Sequence, residues 1–269
     1  MKSGSRGTLI AAALAAVLAA GGPAAAAQCG DGGGGFENWK AEFIREAGMR
    51  GISPVALDAL ARTTYTRKTI AADRGQKSFK LSLESFMKRR GADAIISRGK
   101  GMKKRYASLF ASIEQRFGVP AGPLIAIWGM ETGFGGFLGD QHILSAVATL
   151  AYDCRRSEFF TGHLYAALTM VDRGMLHPAA VGAAHGEIGQ TQFLPGNALQ
   201  YGVDGDGRID MIGSAADALA STANFLRAHG WMPGAGYQPG EPNFVAIQGW
   251  NAASVYQQAI AIIGKAIDG

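Results

Sequence analysis

The chain has 269 residues, with 26 basic against 21 acidic side chains and a net charge of +5. No lysine or arginine block is dense enough to argue for a nucleic-acid partner; Lys88-Arg89-Arg90 and Lys100 to Arg105 sit beside helical patterns and read as solvated faces. An acidic polymer remains compatible with this mild excess of base.

The first 27 residues read as a secretory signal peptide. Lys2 and Arg6 form a charged head, Leu9 to Ala20 is an apolar stretch, and Ala25-Ala26-Ala27 supplies an A-x-A cleavage site. The alternative, a retained membrane anchor, is opposed by an apolar run shorter than the ~20 residues of a span. Without Lys2 and Arg6 the net charge falls to +3. Residues 28–35 form a glycine-rich leader, expected to be flexible, and 36–269 form the body. That body is longer than the usual domain of ~100–150 residues, yet it can form one helical unit with lobes around a groove.

Phe36, Trp39 and Phe43 recur as the stripe of an amphipathic helix. Ser53-Pro54 caps and opens the next. Tyr106, Leu109, Phe110, Ile113 and Phe117 repeat at helical spacing up to Pro120, and Pro123 opens a short apolar helix that ends near Glu131. Leu144 to Tyr152 and Phe159 to Val171 read as buried helices. Ser214 with Asp217 caps a helix over Ala218 to His229, closed by Gly230, and Val255 to Ile267 is the last. No stretch alternates long enough to propose a sheet. The chain is predicted to be mainly α.

Two cysteines, Cys29 and Cys154, read as one disulfide in an oxidising exported compartment. Lipidation of Cys29 is opposed by Gln28 before it, where a small residue is needed. A catalytic Cys154 paired with His163, His177 or His185 lacks a nucleophile motif around it.

Glu131 concentrates the chemistry. It ends the apolar run Leu124, Ile125, Ala126, Ile127, Trp128, Met130, and Gly133, Gly135 and Gly136 follow. Apolar surroundings favour the neutral carboxyl and raise its pKa toward that of a general acid, as in glycosidases. The plain alternative is a helix-terminal glutamate in water. A second segment, Gly186-Glu187-Ile188-Gly189-Gln190-Thr191-Gln192-Phe193-Leu194-Pro195, offers amides that donate and accept hydrogen bonds beside an aromatic, which suits sugars. Its plain alternative is a turn with surface glutamines. Asp204-Gly205-Asp206-Gly207-Arg208-Ile209-Asp210 resembles the core of a calcium loop, but glycines stand at two ligand positions, and a turn capped by aspartates is the better reading. No metal and no cofactor are expected.

Taken in order, the motifs resemble those of the lytic murein transglycosylases, closest to the B-type (MltB-like) branch. Trp128-Gly129-Met130-Glu131-Thr132-Gly133-Phe134-Gly135 matches the glutamate motif of that family. Gly189 to Pro195 matches its Gly-Gln-x-Gln-Phe-x-Pro, and Ala223-Asn224-Phe225-Leu226-Arg227-Ala228-His229-Gly230-Trp231 matches a third. Trp250-Asn251 and Tyr256 match a final aromatic-Asn pair and tyrosine. The resemblance spans nearly all of residues 36–269. It implies a lysozyme-like helical fold with a substrate groove, small helical extension lobes and little β structure.

It also implies an exported, periplasmic enzyme that cuts peptidoglycan glycan strands between N-acetylmuramic acid and N-acetylglucosamine without water. Glu131 is the implied acid and then base. Gln192 and Tyr256 are implied cleft residues, with Gln190, Phe193, Trp250, Asn251 and Glu187 as further substrate-binding candidates. Ala183 stands where relatives often carry a serine, and Glu187 stands at a position that is often small. Glu187 reads first as a surface residue and otherwise as a second acid in the groove. A catalytically silent wall-binding protein and a lysozyme-like hydrolase are the competing readings. Nothing points beyond a monomer or to stable membrane insertion.

Overall fold

In the computed structural model the described residues are Met1, 27–75, 81–204 and 208–269. The signal-peptide reading therefore falls almost wholly outside them, as does Asp206. Thirteen α-helices and one two-stranded antiparallel ladder make up the regular structure among these residues, apart from a 3-10 turn at Gly33–Gly35. The mainly helical expectation is met.

The helices form where capping and periodicity place them. α1 (Phe36–Met49) buries Phe36, Trp39 and Phe43 as one stripe. α2 (Pro54–Ala61) starts at Ser53, whose hydroxyl accepts from the Ala56 amide. α3 (Arg67–Arg74), α4 (Leu83–Arg90), α5 (Ala92–Arg105) and α6 (Ala107–Phe117) follow. Gly118, in the left-handed region at φ 71°, ends α6 two residues before Pro120. α8 (Ile143–Tyr152) is buried along its whole length, and α9 (Ser157–Asp172) packs against it. Strand β1 (Gln141–His142) pairs with β2 (Val181–Gly182). α10 (Pro195–Tyr201), α11 (Ala215–Ala228) and α12 (Phe244–Trp250) complete the middle of the chain; the Ser214 hydroxyl caps α11 on the Asp217 amide.

One helix pair positions the site. α7 (Ala121–Thr132) is buried on all faces except at Glu131, so it runs through the core rather than along its surface. α13 (Ser254–Asp268) lies antiparallel to it. A Cβ on Gly122 would sit 2.3 Å from the Gly264 carbonyl, so the backbones cross too closely for any side chain there. At that end Asp268 accepts from the Gly122 amide at 2.9 Å, placing a carboxylate at the positive end of α7. At the other end the antiparallel arrangement sets Tyr256, in the first turn of α13, against Glu131, in the last turn of α7.

The leader differs from its expectation. Gly30 bridges to Asp153, and the Tyr152 hydroxyl donates to the Gly32 carbonyl at 2.9 Å, so residues 30–35 are docked on the end of α8. The reason is covalent as well as polar: Cys29 and Cys154 form the expected disulfide, Cα–Cα 5.0 Å, across 125 residues. Closing so long a loop stabilises by up to about 5 kcal/mol in the chain-entropy account.

Candidate active site

A cleft of about 390 Å³ opens where the end of α7, the 182–197 segment and the α12–α13 junction meet. Glu131, Glu187, Gln192, Phe193, Trp250 and Asn251 line it, joined by Ala183, Leu194, Asn197 and Phe225.

Glu131 reaches the cleft because its helix stops at once. Gly133 takes the left-handed conformation at φ 59° and closes α7. The loop beyond is tied back by Thr132, whose hydroxyl donates to the Gln190 carbonyl at 2.6 Å and accepts from the Gly135 amide at 2.9 Å. The Tyr256 hydroxyl donates to Glu131 Oε1 at 2.6 Å, and Trp250 Nε1 approaches the same oxygen at 3.5 Å. Burial dominates the electrostatics and pushes the carboxyl from an ordinary 4.5 up to about 7. The Tyr256 bond, the Arg90 charge and the Trp250 indole oppose this, whereas the charge of Glu187 adds to it. The carbonyl end of α7 also disfavours an anion at this position. Glu131 is therefore a carboxyl poised between its two protonation states near neutrality, rather than a solvated surface glutamate. Tyr256 is itself pushed far up, by burial and then by the carboxylate beside it, so it stays a donor.

Residues 188–193 form a tight loop closed by paired backbone bonds between Ile188 and Phe193, at 2.7 and 3.0 Å. This geometry separates the two glutamines. Gln192, in the left-handed region at φ 59°, borders the cleft and donates to the carbonyls of Gly189 (2.7 Å) and Leu138 (3.2 Å). Gln190 turns inward instead, and its Oε1 accepts from Trp128 Nε1 at 3.0 Å. Its expectation as a cleft residue is corrected: with 8% exposure it braces the loop against α7. Phe193 is buried yet forms part of the cleft wall, edge-on to Trp250 at 5.1 Å. Asn251 lines the cleft while its Oδ1 accepts from the Ala253 amide at 2.9 Å.

Glu187 lies in the cleft wall and not on the outer surface. Its two oxygens accept from the His185 amide at 2.9 Å and face His185 Nδ1 at 3.0 Å. Burial works to raise this carboxyl, but the His185 hydrogen bond and charge, with the backbone amides, outweigh it and hold it below its ordinary value. His185 Nε2 faces Asp73 at 3.7 Å, and Asp73 is gripped by Arg155 and Arg156.

Several site residues escaped sequence reasoning. Arg90, read as part of a solvated run, donates to the Met130 carbonyl at 3.3 Å and lies over the Tyr256 ring at 5.5 Å. Its signal was position: the last residue of a helix whose apolar Phe86 faces the core. Leu194 and Phe225 stood inside recognised motifs without being singled out, and Asn197, two residues beyond Pro195, carried no signal. At the end of the calcium-like segment, whose residues 205–207 lie outside the described ones, Asp210 Oδ1 accepts from the Ile212 and Gly213 amides, an Asx turn. Among the described residues no cluster of three or more potential ligands could hold a metal.

Residues 35–239 match the family described as "Transglycosylase SLT domain". The chain is 39% identical over 140 residues to the membrane-bound lytic murein transglycosylase B of Escherichia coli K12, a match covering 48% of this chain and only 38% of that protein. Among solved structures it is similar to SltB3 from Pseudomonas aeruginosa in complex with NAG-NAM-pentapeptide. That likeness has a TM-score of 0.81 at 28% identity, over 87% of this chain and 80% of that one. The soluble lytic transglycosylase SltB1 of the same organism superposes with a TM-score of 0.76 at 24% identity, over 85% and 97% of the two chains, a likeness of fold alone.

Proposed function

The chain belongs to the transglycosylase SLT domain family, and on that premise we propose that it is an exported lytic transglycosylase of peptidoglycan. Its substrate is the bond between N-acetylmuramic acid and N-acetylglucosamine, and its product carries a 1,6-anhydromuramyl end. The observation that carries this reading is Glu131: a carboxyl pushed up to about 7, in the wall of a cleft, with neutral donors on one oxygen.

Protonated Glu131 gives its proton to the glycosidic oxygen as that bond breaks and positive charge builds at the muramyl anomeric carbon. The Tyr256 hydroxyl bond then steadies the carboxylate that remains. That carboxylate removes the proton of the muramyl 6-hydroxyl, whose oxygen closes on the anomeric carbon. Glu131 ends protonated again, and no water is consumed. A carboxyl near 7 serves both halves, since neither protonation state is far out of reach at neutral pH.

Gln192, Asn197 and Asn251 supply the polar part of the wall and Trp250 the aromatic part, the mixture that sugars with amide groups require. Periplasmic location is supported by the leader pattern and by the disulfide. No helix among the described residues is long and apolar enough to cross a membrane.

The test is mass spectrometry of products from residues 28–269 incubated with purified sacculi, beside Glu131→Gln. Anhydro-ended fragments from the native chain and none from the variant are expected. Reducing ends would turn the reading to a hydrolase, and tight binding without product would turn it to a wall-binding protein.

A further inference from the structure

Two carboxyl groups share the cleft, and their surroundings push them apart. Glu131 has only uncharged direct partners, the Tyr256 phenol and the Trp250 indole. Glu187 is held by the His185 amide and ring at 2.9 and 3.0 Å. Behind it runs a chain of alternating partners: His185 Nε2 lies 3.7 Å from Asp73, and Asp73 is locked by Arg155 and Arg156. With Glu187 ionised, Nδ1 of His185 carries the proton shared with it, since a carboxylate accepts only. The ring is thereby fixed in orientation, and Glu187 with it. A partly buried anion is costly, and this one is furnished with partners down to the core. Its two hydrogen bonds leave acceptor capacity on both oxygens.

We propose that Glu187 is the ionised partner of Glu131 in the reaction: it stays anionic, takes no proton, and opposes the positive charge that develops at the anomeric carbon while Glu131 donates and recovers its proton. The inference rests on the transglycosylase reading and adds a second carboxylate to it. A pair of carboxyls divided into one neutral and one charged member is a general arrangement for breaking glycosidic bonds. Here the division follows from company rather than from distance to solvent. His185 and Arg156 face Glu187, and Glu131 lines the same cleft and feels its charge. Tyr256, Trp250 and Arg90 face Glu131. Asp73, Arg155 and Arg156 hold the far side of His185. The anion also supports the protonated form of Glu131, so one residue favours both the acid and the cation it creates.

The experiment compares the native chain, Glu187→Gln and Glu187→Asp in two ways. Turnover against pH on sacculi is the first. The native profile should fall on the acid side, below the ordinary carboxylate range, and on the alkaline side near 7. Glu187→Gln should lose its acid limb, shift its alkaline limb downward, and drop about 10- to 100-fold in kcat with little change in KM. Glu187→Asp should recover part of kcat and the acid limb. The second is a carbon-13 titration of the Glu131 carboxyl, assigned with Glu131→Gln, which needs no turnover. Its midpoint should fall when Glu187 is replaced by Gln. An active native enzyme whose Glu187→Gln variant keeps kcat within twofold and the same profile overturns the proposal and leaves the transglycosylase reading intact. Absence of anhydro product from the native chain overturns that reading. An unchanged Glu131 midpoint in Glu187→Gln overturns the pairing whatever the activity.

Discussion

Two carboxyl groups of this molecule lie away from water in opposite company. Asp73, at the end of α3, is almost wholly buried and is met by Arg155 and Arg156 on one side and His185 on another. Glu131, at the end of α7, is met by a phenol and an indole. The first arrangement satisfies a charge and so fixes structure, tying α3 to the turn before α9. The second leaves a charge undercompensated and so stores reactivity, since the ionised form is the costly one. For these two acids the contrast lies in their direct partners: guanidinium groups hold Asp73, whereas only uncharged donors reach Glu131.

Breaking the satisfied pair should have the largest effect. Asp73→Asn removes the anion that both guanidinium groups grip, while Glu187 and Asp153 still act on Arg156, and a loss of about 3 kcal/mol is expected in denaturant unfolding. Loss below 1 kcal/mol would show that Arg155 and Arg156 find water instead.

The disulfide lies on the same side of the comparison. Cys154 directly precedes Arg155 and Arg156, and the Cys29→Ser/Cys154→Ser double variant should lose about 2–4 kcal/mol. Product formation at 25 °C should persist, because neither cysteine lines the cleft that holds Glu131 and Glu187.

Smaller changes sharpen the other side. Tyr256→Phe removes the 2.6 Å donor that stabilises ionised Glu131. The carboxyl should titrate higher than about 7, the alkaline limb of turnover should move up, and kcat should fall about tenfold. A downward limb would mean that Arg90, which lies over the Tyr256 ring, has moved onto Glu131. Trp250→Phe should shift the limb in the same direction by less, because its contact is 3.5 Å.

Much of the scaffold was legible because its signals are local. Ser53 and Ser214 cap where their spacing says, and the Phe36–Trp39–Phe43 stripe faces the core. Glu131 was legible for a related reason: an apolar run ending in glycines announces both a buried helix and its stop. Gln190 was misread because residue type alone does not say which way a tight loop aims a side chain. The paired backbone bonds of Ile188 and Phe193 turn it inward toward Trp128, 62 residues away. The Asp73 cluster was invisible, since its partners lie 82 and 83 residues along the chain and each alone looks like a surface charge. Glu187 stood between these cases. Its partner His185 is two residues away, but its place in the cleft comes from tertiary packing.

The central claim is that burial raises the Glu131 carboxyl to near neutrality, and stability against pH tests it without any substrate. A carboxyl whose value rises from 4.5 unfolded to about 7 folded makes the folded state bind the extra proton, so stability falls as pH rises through that window. The measurement is the unfolding free energy of the native chain and of Glu131→Gln between pH 4 and 8. The gap between them should widen in favour of the variant by about 3 kcal/mol between pH 4.5 and 7 and stay level above it. Two parallel curves would contradict the account, because they would mean that Glu131 titrates in the folded protein as it does in water.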